Sequence, residues 1–507
     1  MSNSSKQIKF GAIMSYFTIA FNMLAGLIYT PWMIEQIGQS NYGLYTLATS
    51  IITLFVVDFG MGAAVSRFVS KYNAEGDQDK VNNFLGVVYK LYMIIDAVIL
   101  VVILVIGLFI SAIYENLTPS ELETFKVLYV IVGLFSVISF PFTNLNGVLT
   151  AYEQFVGLKV ADLFNKVFII AAMVIALMLG YGVYALVIVN AISGLLTIAI
   201  KLLIINKKTS VKVNFHYYDR ELLKEIFGFS VWTTVSSLAQ RLIFNITPSI
   251  IAAVSITGSV GVALFGLGQT IEGYVYLFAS AISGMFMPMV SRLVHEDKRK
   301  NELMSLMIKI GRIQCLIIGL LVTGFIAVGH SFIVDIWNRP EFSDSYLCCV
   351  FLIIPSFFHL PMEIANTTLI VENKVKLQAF VYIIMGIINV VLSLILSHYF
   401  GALGASISIF IAYMIRTLLL VVIYQNVLKL DMLKFFKETF VKFTPSFLVA
   451  MVVGIFLENY NPLVHGFLRF SINSFVFVIV FIVLVIFRLN DYEKNLFFGI
   501  FKRLLKR

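Results

Sequence analysis

Residues 84–113 read FLGVVYKLYMIIDAVILVVILVIGLFISAI, and this stretch decides the fold class. Its apolar residues run continuously, interrupted by ionisable groups only at Lys90 and Asp96. Crossing roughly 30 Å of hydrocarbon takes about 20 apolar residues in a helix. Inside lipid only helices and closed barrels satisfy their own backbone. A barrel strand alternates apolar and polar residues; this stretch does not, so it reads as a membrane-spanning helix.

Working outward, similar runs occupy 10–34, 42–65, 125–145, 156–179 and 183–205, then 226–254, 258–289, 303–328 and 347–370, and finally 377–399, 402–424, 440–457 and 470–487. The expected fold is an all-α integral membrane protein of about fourteen transmembrane helices. Composition agrees, with 60% hydrophobic and 13% charged residues in 507, against about 45–50% and 25% in soluble domains. The net charge of +9 does not point to nucleic acid, because most Lys and Arg fall in short loops between apolar runs, as membrane topology requires. The run at 10–34 is too long for a signal-peptide core and reads as an uncleaved first span.

Loop charges set the orientation. Lys71, Lys80, Lys159, Lys201, Lys207, Lys208 and Lys212 fall on one side, together with Arg292, Lys298, Arg299, Lys300, Lys374, Lys376 and the tail from Arg488. The opposite side receives Lys126, Arg339 and Arg469. Positive residues mark the cytoplasmic face, so both termini are expected to be cytoplasmic.

The longest internal polar stretch, 206–225, divides the chain into two related parts. Pro141, Asn146 and Leu149 stand in the same order and spacing as Pro361, Asn366 and Leu369. Asn82, Lys90 and Gly182 recur as Asn301, Lys309 and Gly401, and Ser66–Arg67 recurs as Ser291–Arg292 after a short drift. These matches predict a parallel repeat: a six-helix lobe at 1–205, a cytoplasmic linker at 206–225 and a second six-helix lobe at 226–426. An extra helix pair at 427–490 and a basic amphipathic tail at 491–507, lying on the inner leaflet, complete the chain. Repeats of this kind bind substrate between halves and alternate access by rocking.

Ionisable groups within spans are functional candidates because burying charge in lipid is expensive. Arg241, Glu272 and Arg416 lie near mid-span, and Asp58 lies slightly below mid-depth in a glycine-rich segment. Asp162 and Lys166 are neighbours on one helical face, open to mutual neutralisation or ligand contact. Lys309 and Arg312 share a sign and should attract an anion, whether a substrate or lipid headgroups. Arg67 and Arg292 belong at the cytoplasmic interface. His359 stands near Glu363, where a proton relay or plain packing are both open. The excess of cations suits an anionic ligand, and Arg suits phosphate.

Enzyme signatures are lacking: there is no Walker-type glycine loop, no HExxH and no DxD, and no external loop is large enough for a catalytic domain. No enzyme activity, cofactor or metal is expected. Cys315, Cys348 and Cys349 lie in apolar runs without metal-ligand spacing.

Asn41-Tyr42-Gly43-Leu44-Tyr45, together with Val57-Asp58-Phe59-Gly60-Met61-Gly62 leading to Ser66-Arg67-Phe68-Val69, resembles the polysaccharide flippases. These are Wzx-like proteins that move lipid-linked O-antigen, capsule or teichuronic-type units. The resemblance extends over essentially the whole chain through the central loop and the Gly182 and Gly401 turns, although only the segment around 41–69 is locally specific. Their superfamily includes lipid II flippases and multidrug (MATE) exporters. The likeness implies two lobes forming a V, with the first, second, seventh and eighth spans around the cleft. It further implies transfer of a polyprenyl-(pyro)phosphate-linked oligosaccharide from the cytoplasmic to the external leaflet of a bacterial cytoplasmic membrane.

On that map substrate contacts fall to Arg241, Arg67, Arg416, Lys166, Arg312 and Lys309, and ion coupling to Glu272, Asp58 or Asp162. The implied partners are membrane lipid, a polysaccharide polymerase and glycosyltransferases, with the flippase itself a monomer. The run 10–34 holds neither the carboxylate that multidrug exporters often use there nor the Arg of lipid II flippases. Both remain alternatives.

Overall fold

The computed structural model describes residues 21, 23–56, 61–283, 286–295, 299–337, 339–460 and 466–495. Among them there is no strand, and eleven helices are long and apolar enough to cross a membrane. One of these, Val375–Asn426, is two helices joined at Gly401, where the backbone leaves helical geometry (φ 56, ψ −133). The expected spans from 84 onward coincide with these helices, among them Gln78–Ile113, Pro119–Ala151, Phe155–Met178 and Gly182–Lys208. The expected spans 10–34 and 42–65 fall partly outside the described residues, and the tail from 496 lies wholly outside them. The chain is an all-helical, multi-pass membrane protein.

Exposed apolar side chains such as Leu108, Met178 and Phe487 cover the helices. In water such a surface would drive aggregation; in lipid it is solvated. Helix starts are fixed by carboxylates and hydroxyls at the polar ends. Asp77 accepts from the Lys80 amide at 2.9 Å, and Asp219 from Glu221 and Leu222 at 2.8 and 3.1 Å. Those amide bonds stabilise the ionised form, holding both Asp77 and Asp219 below the usual carboxylate range. Thr118 and Glu121 form a reciprocal capping box at the start of Pro119–Ser139.

Two compact units emerge: Met1–Gly266 with Tyr382–Ala405, and Leu267–Val381 with Ser406–Arg507. Within the first, the polar stretch after Lys208 is docked rather than loose. Asn214 donates its amide to Asn82 carbonyl (3.0 Å) and its side chain to Asn83 Oδ1 (2.7 Å), while the Lys212 amide donates to Asn82 Oδ1 (2.8 Å).

The repeat seen in sequence has backbone counterparts in each half. Helix Pro119–Ser139 passes through a 3₁₀ turn at Phe140–Phe142 into Leu145–Ala151, and helix Ser345–His359 passes through Leu360–Met362 into Glu363–Val371. Pro141 and Pro361 cause both breaks, since proline lacks the N–H that a continuing α-helix would use. The next turns match too: Glu153 (φ 54) and Asn373 (φ 57) are left-handed, and the amides of Gln154 and Lys374 each donate 2.8 Å to the carbonyls of Leu149 and Leu369. Gly38 and Gly258 form a further positive-φ pair at the same spacing, which the residue matches had not revealed.

Gly43, in the segment that carries the family likeness, lies against the Ser259 carbonyl with no room for a Cβ. Because the obstacle is backbone, Gly43→Ala should force the two helices apart. Gly401→Ala meets a different problem, a conformation open essentially to glycine alone, and should cost about 1–3 kcal/mol. Asn373→Gly, by contrast, should be nearly neutral. Thermal unfolding of the three purified variants checks this: destabilisation is expected for Gly43→Ala and Gly401→Ala and not for Asn373→Gly.

Candidate functional site

In the first unit the site is built from helix ends within the membrane. Helix Arg220–Phe244 stops four residues before Pro248, where the proline ring would meet a continuing helix. Carbonyls freed by the break need donors in a medium without water. Asn389 supplies them, its Nδ2 lying 3.2 Å from Leu242 O, 3.4 Å from Ile243 O and 3.3 Å from Thr247 Oγ1. Thr247 donates its own hydroxyl to Ile243 O.

Arg241, one turn before this break, donates from Nη1 to the carbonyl of Thr53 in the last turn of helix Gln39–Phe55. The last carbonyls of a helix have no donor within it, and a cation there also meets the negative end of the helix dipole. Arg241 therefore joins two interrupted helices. Asp58 follows in sequence but lies outside the described residues. Arg67 is exposed on helix Met61–Ala74.

A second group in this unit gathers lysines. Lys201 Nζ stands 3.0 Å from Asp162 and 2.9 Å from Asn146 Oδ1, and Lys159 lies 3.8 Å from the same carboxylate. For Asp162 and Lys166, neighbours on the helix, the sequence leaves mutual neutralisation and ligand contact both open. The structure turns Asp162 toward Lys201 of the adjacent helix and leaves Lys166 exposed near the middle of Phe155–Met178. Two lysines thus share one carboxylate, giving a group of net positive charge that includes the repeat residue Asn146, while Lys166 stands apart from it.

In the second unit polar groups form a buried network. Glu272 accepts a long bond from Ser356 Oγ at 3.4 Å. Further along the same broken helix, Asn366 Nδ2 donates to Glu363 Oε1 (3.1 Å), and Gln378 Nε2 donates to Asn366 Oδ1 (2.7 Å). His359 Nδ1 lies 2.9 Å from Pro355 O. A carbonyl only accepts, so Nδ1 carries the proton there and Nε2 of the neutral ring is an acceptor. The ring packs 5.4 Å from Tyr413, which also receives the Arg416 guanidinium at 5.4 Å. Arg416 acts electrostatically on both His359 and Glu363. The sequence placed His359 beside Glu363 and Arg416 in another span; Gln378 and Tyr413 as their connections went unseen.

Arg312 has a partner that sequence reasoning missed. Its Nε donates to Glu493 Oε1, its Nη2 lies 2.8 Å from Glu493 Oε2 and 3.0 Å from Arg488 O, and its Nη1 lies 2.7 Å from Glu438 O. Phe443 stacks at 4.5 Å, and Lys309 sits 3.7 Å over the Tyr492 ring. The anion expected near Lys309 and Arg312 is thus supplied by the chain itself, from the start of the basic tail. Asn490 and Glu493 cap each other's amides there at 2.8 and 2.9 Å, so the tail begins folded inward onto helix Arg299–Ser331. Breaking one half of such a buried pair costs about 3–5 kcal/mol, because the other charge is stranded. Glu493→Gln should lower the thermal stability of the purified protein by that order, while the paired change Arg312→Met with Glu493→Leu should recover much of it.

The family model described as polysaccharide biosynthesis protein matches residues 11–294, more than half of the chain. No curated protein matches significantly. Among solved structures, the lipid II flippase MurJ in an inward closed conformation is similar with a TM-score of 0.70 at 14% identity, covering 98% of this chain and 100% of that one. An inward-facing multidrug resistance MATE family transporter gives 0.60 at 18% identity, covering 80% and 96%. A Vibrio cholerae MATE transporter variant gives 0.56 at 15%, covering 85% and 98%. At these identities the likeness establishes the fold, that of flippases and multidrug transporters. The chain belongs to the polysaccharide biosynthesis protein family.

Proposed function

We propose that the chain carries a polyprenyl-(pyro)phosphate-linked oligosaccharide from the cytoplasmic to the external leaflet of the bacterial cytoplasmic membrane, for assembly of a surface polysaccharide. The lysine group around Asp162 is the observation that carries this reading. Lys159 and Lys201 outnumber the one carboxylate they share, and Lys166 stands exposed near the middle of the helix that carries that carboxylate, where a charge within a span is a functional candidate. A lipid-linked phosphate is an anion whose tail stays in lipid. Lys166, exposed and near mid-span, is the residue best placed to receive it, with Arg241 and Arg67 as further contacts.

The proposed halves are the lobes 1–205 and 226–426, joined by the linker 206–225 and extended by the helix pair 427–490 and the tail 491–507, with both termini cytoplasmic. Alternation between them moves the substrate without covalent chemistry. Glu272, Asp58 and Asp162 are the coupling candidates, Glu272 being buried with one long hydroxyl contact, from Ser356, among the described residues. Arg416 belongs to the same buried network as Glu363 and would tune it rather than hold phosphate. Arg312 and Lys309 are engaged by the tail and would anchor it. The protein would work as a monomer, handing its product to a polymerase after glycosyltransferases have built the substrate.

A lipid II flippase is the second reading, favoured by the near-complete coverage of MurJ. Deletion of the gene in its native host separates the two. A polysaccharide flippase predicts accumulation of lipid-linked oligosaccharide inside and loss of the surface polymer, with cell-wall synthesis intact. Normal surface polymer after deletion would refute the proposal. In a complementation assay Lys166→Ala should cut surface polymer about tenfold at unchanged membrane abundance, and Lys166→Arg should retain most of it.

A further inference from the structure

Three helix starts meet on one carboxylate in the first compact unit. Helix Gln39–Phe55 begins after Gly38 (φ 81), and helix Gly258–Ser283 begins at a second left-handed glycine, Gly258 (φ 48). Each places a serine in its first turn, Ser40 and Ser259, at the same spacing as Asn82 and Asn301. Glu121, in the first turn of Pro119–Ser139, accepts from both. The Ser40 hydroxyl donates to Glu121 Oε1 at 2.5 Å, the Ser259 hydroxyl donates to the same oxygen, and the two hydroxyls stand 3.0 Å apart. The Thr118 amide holds Glu121 Oε2 at 2.9 Å.

This arrangement suits an ionised carboxylate. Each helix start carries free amides and the positive end of a dipole, and hydrogen bonds to a charged acceptor are roughly twice as strong as neutral ones. The neighbouring backbones are close-fitting. Gly43 lies against the Ser259 carbonyl and Gly258 against the Asn116 carbonyl, while Asn116 Nδ2 donates to Ala253 O at 2.5 Å. Ser259 itself is buried.

Two of the three helices precede the linker 206–225 and one follows it. On the topology of the proposed function, all three starts face outside. A carrier that alternates access parts its two lobes on that side to release its cargo. Contacts between polar groups at helix ends can be remade cheaply: once parted, water takes over both carboxylate and hydroxyls, whereas parted apolar faces would be left wet.

We propose that Ser40, Glu121 and Ser259 form an external latch. Glu121 is the shared acceptor that holds the start of Gly258–Ser283 against those of Gln39–Phe55 and Pro119–Ser139, and loss of the Ser259 bond frees the external side to open. The latch's place in a cycle rests on the transport reading; the three-way contact rests on the residues alone.

Full-length protein in nanodiscs, spin-labelled at Gln36→Cys and Ile256→Cys, tests the proposal by double electron–electron resonance. Both positions are exposed and lie shortly before Ser40 and Ser259, and the three native cysteines are buried. With the latch intact one short distance should dominate. Ser40→Ala with Ser259→Ala should raise the fraction at a longer distance about tenfold. Thr118→Ala, which loosens the helix cap but leaves both serines on Glu121, should leave that fraction nearly unchanged. An unaltered distribution in the double serine variant, or an equal response to Thr118→Ala, would overturn the latch. The distances are read without transport. If they respond as expected in a protein that moves no lipid-linked saccharide, the transport reading fails and the latch stands; transport with unresponsive distances does the reverse.

Discussion

A backbone amide or carbonyl in hydrocarbon has no water to turn to, and the rest of this structure follows from that constraint. It makes every described segment of the membrane region helical, and it governs where helices stop. Each interruption is answered locally. Pro141 and Pro361 are accommodated by 3₁₀ turns, the Pro248 break by Asn389 and Thr247, and the end of Gln39–Phe55 by Arg241. Discontinuous helices at membrane depth are also how transporters of this general design expose polar backbone to a substrate path. Arg241 thus has a structural task, closing the end of Gln39–Phe55, and is at the same time a charge beside a broken helix.

The same constraint sorts the charged side chains. Those with a complete set of partners, such as Arg312 held by Glu493 and two carbonyls, stabilise one arrangement and leave nothing for a ligand. Those in an unbalanced group, such as the two lysines that share Asp162, keep a net charge that a ligand can meet. Glu363, Asn366 and Gln378 fall between: one neutral donor, Asn366, itself held by Gln378, meets the carboxylate while Arg416 acts on it electrostatically.

Much of this was legible in the sequence because lipid demands long apolar runs. Proline and glycine at matched positions disclosed the repeat, since each marks a backbone geometry that few other residues allow. Glu153 and Asn373 adopt matched geometry with unlike side chains, and so left no trace. Charge partners distant in sequence were not legible: Lys166 is one turn from Asp162 on the same helix, yet Lys201 on the neighbouring helix makes the shorter contact. Glu493 was hidden for another reason. Placed in a basic segment, it looked like one acid among many cations, and nothing local announces that it turns inward to Arg312.

The central claim, movement of a lipid-linked saccharide by this chain alone, is tested most directly in proteoliposomes. Purified protein would be reconstituted with the native polyprenyl-linked oligosaccharide distributed over both leaflets. A membrane-impermeant glycosidase would then measure the accessible fraction. The account predicts that accessibility rises from about half toward completion only when the protein is present, and that a cationic dye trapped in the same vesicles stays there. An accessible fraction equal to that of protein-free vesicles, together with release of the dye, would contradict it.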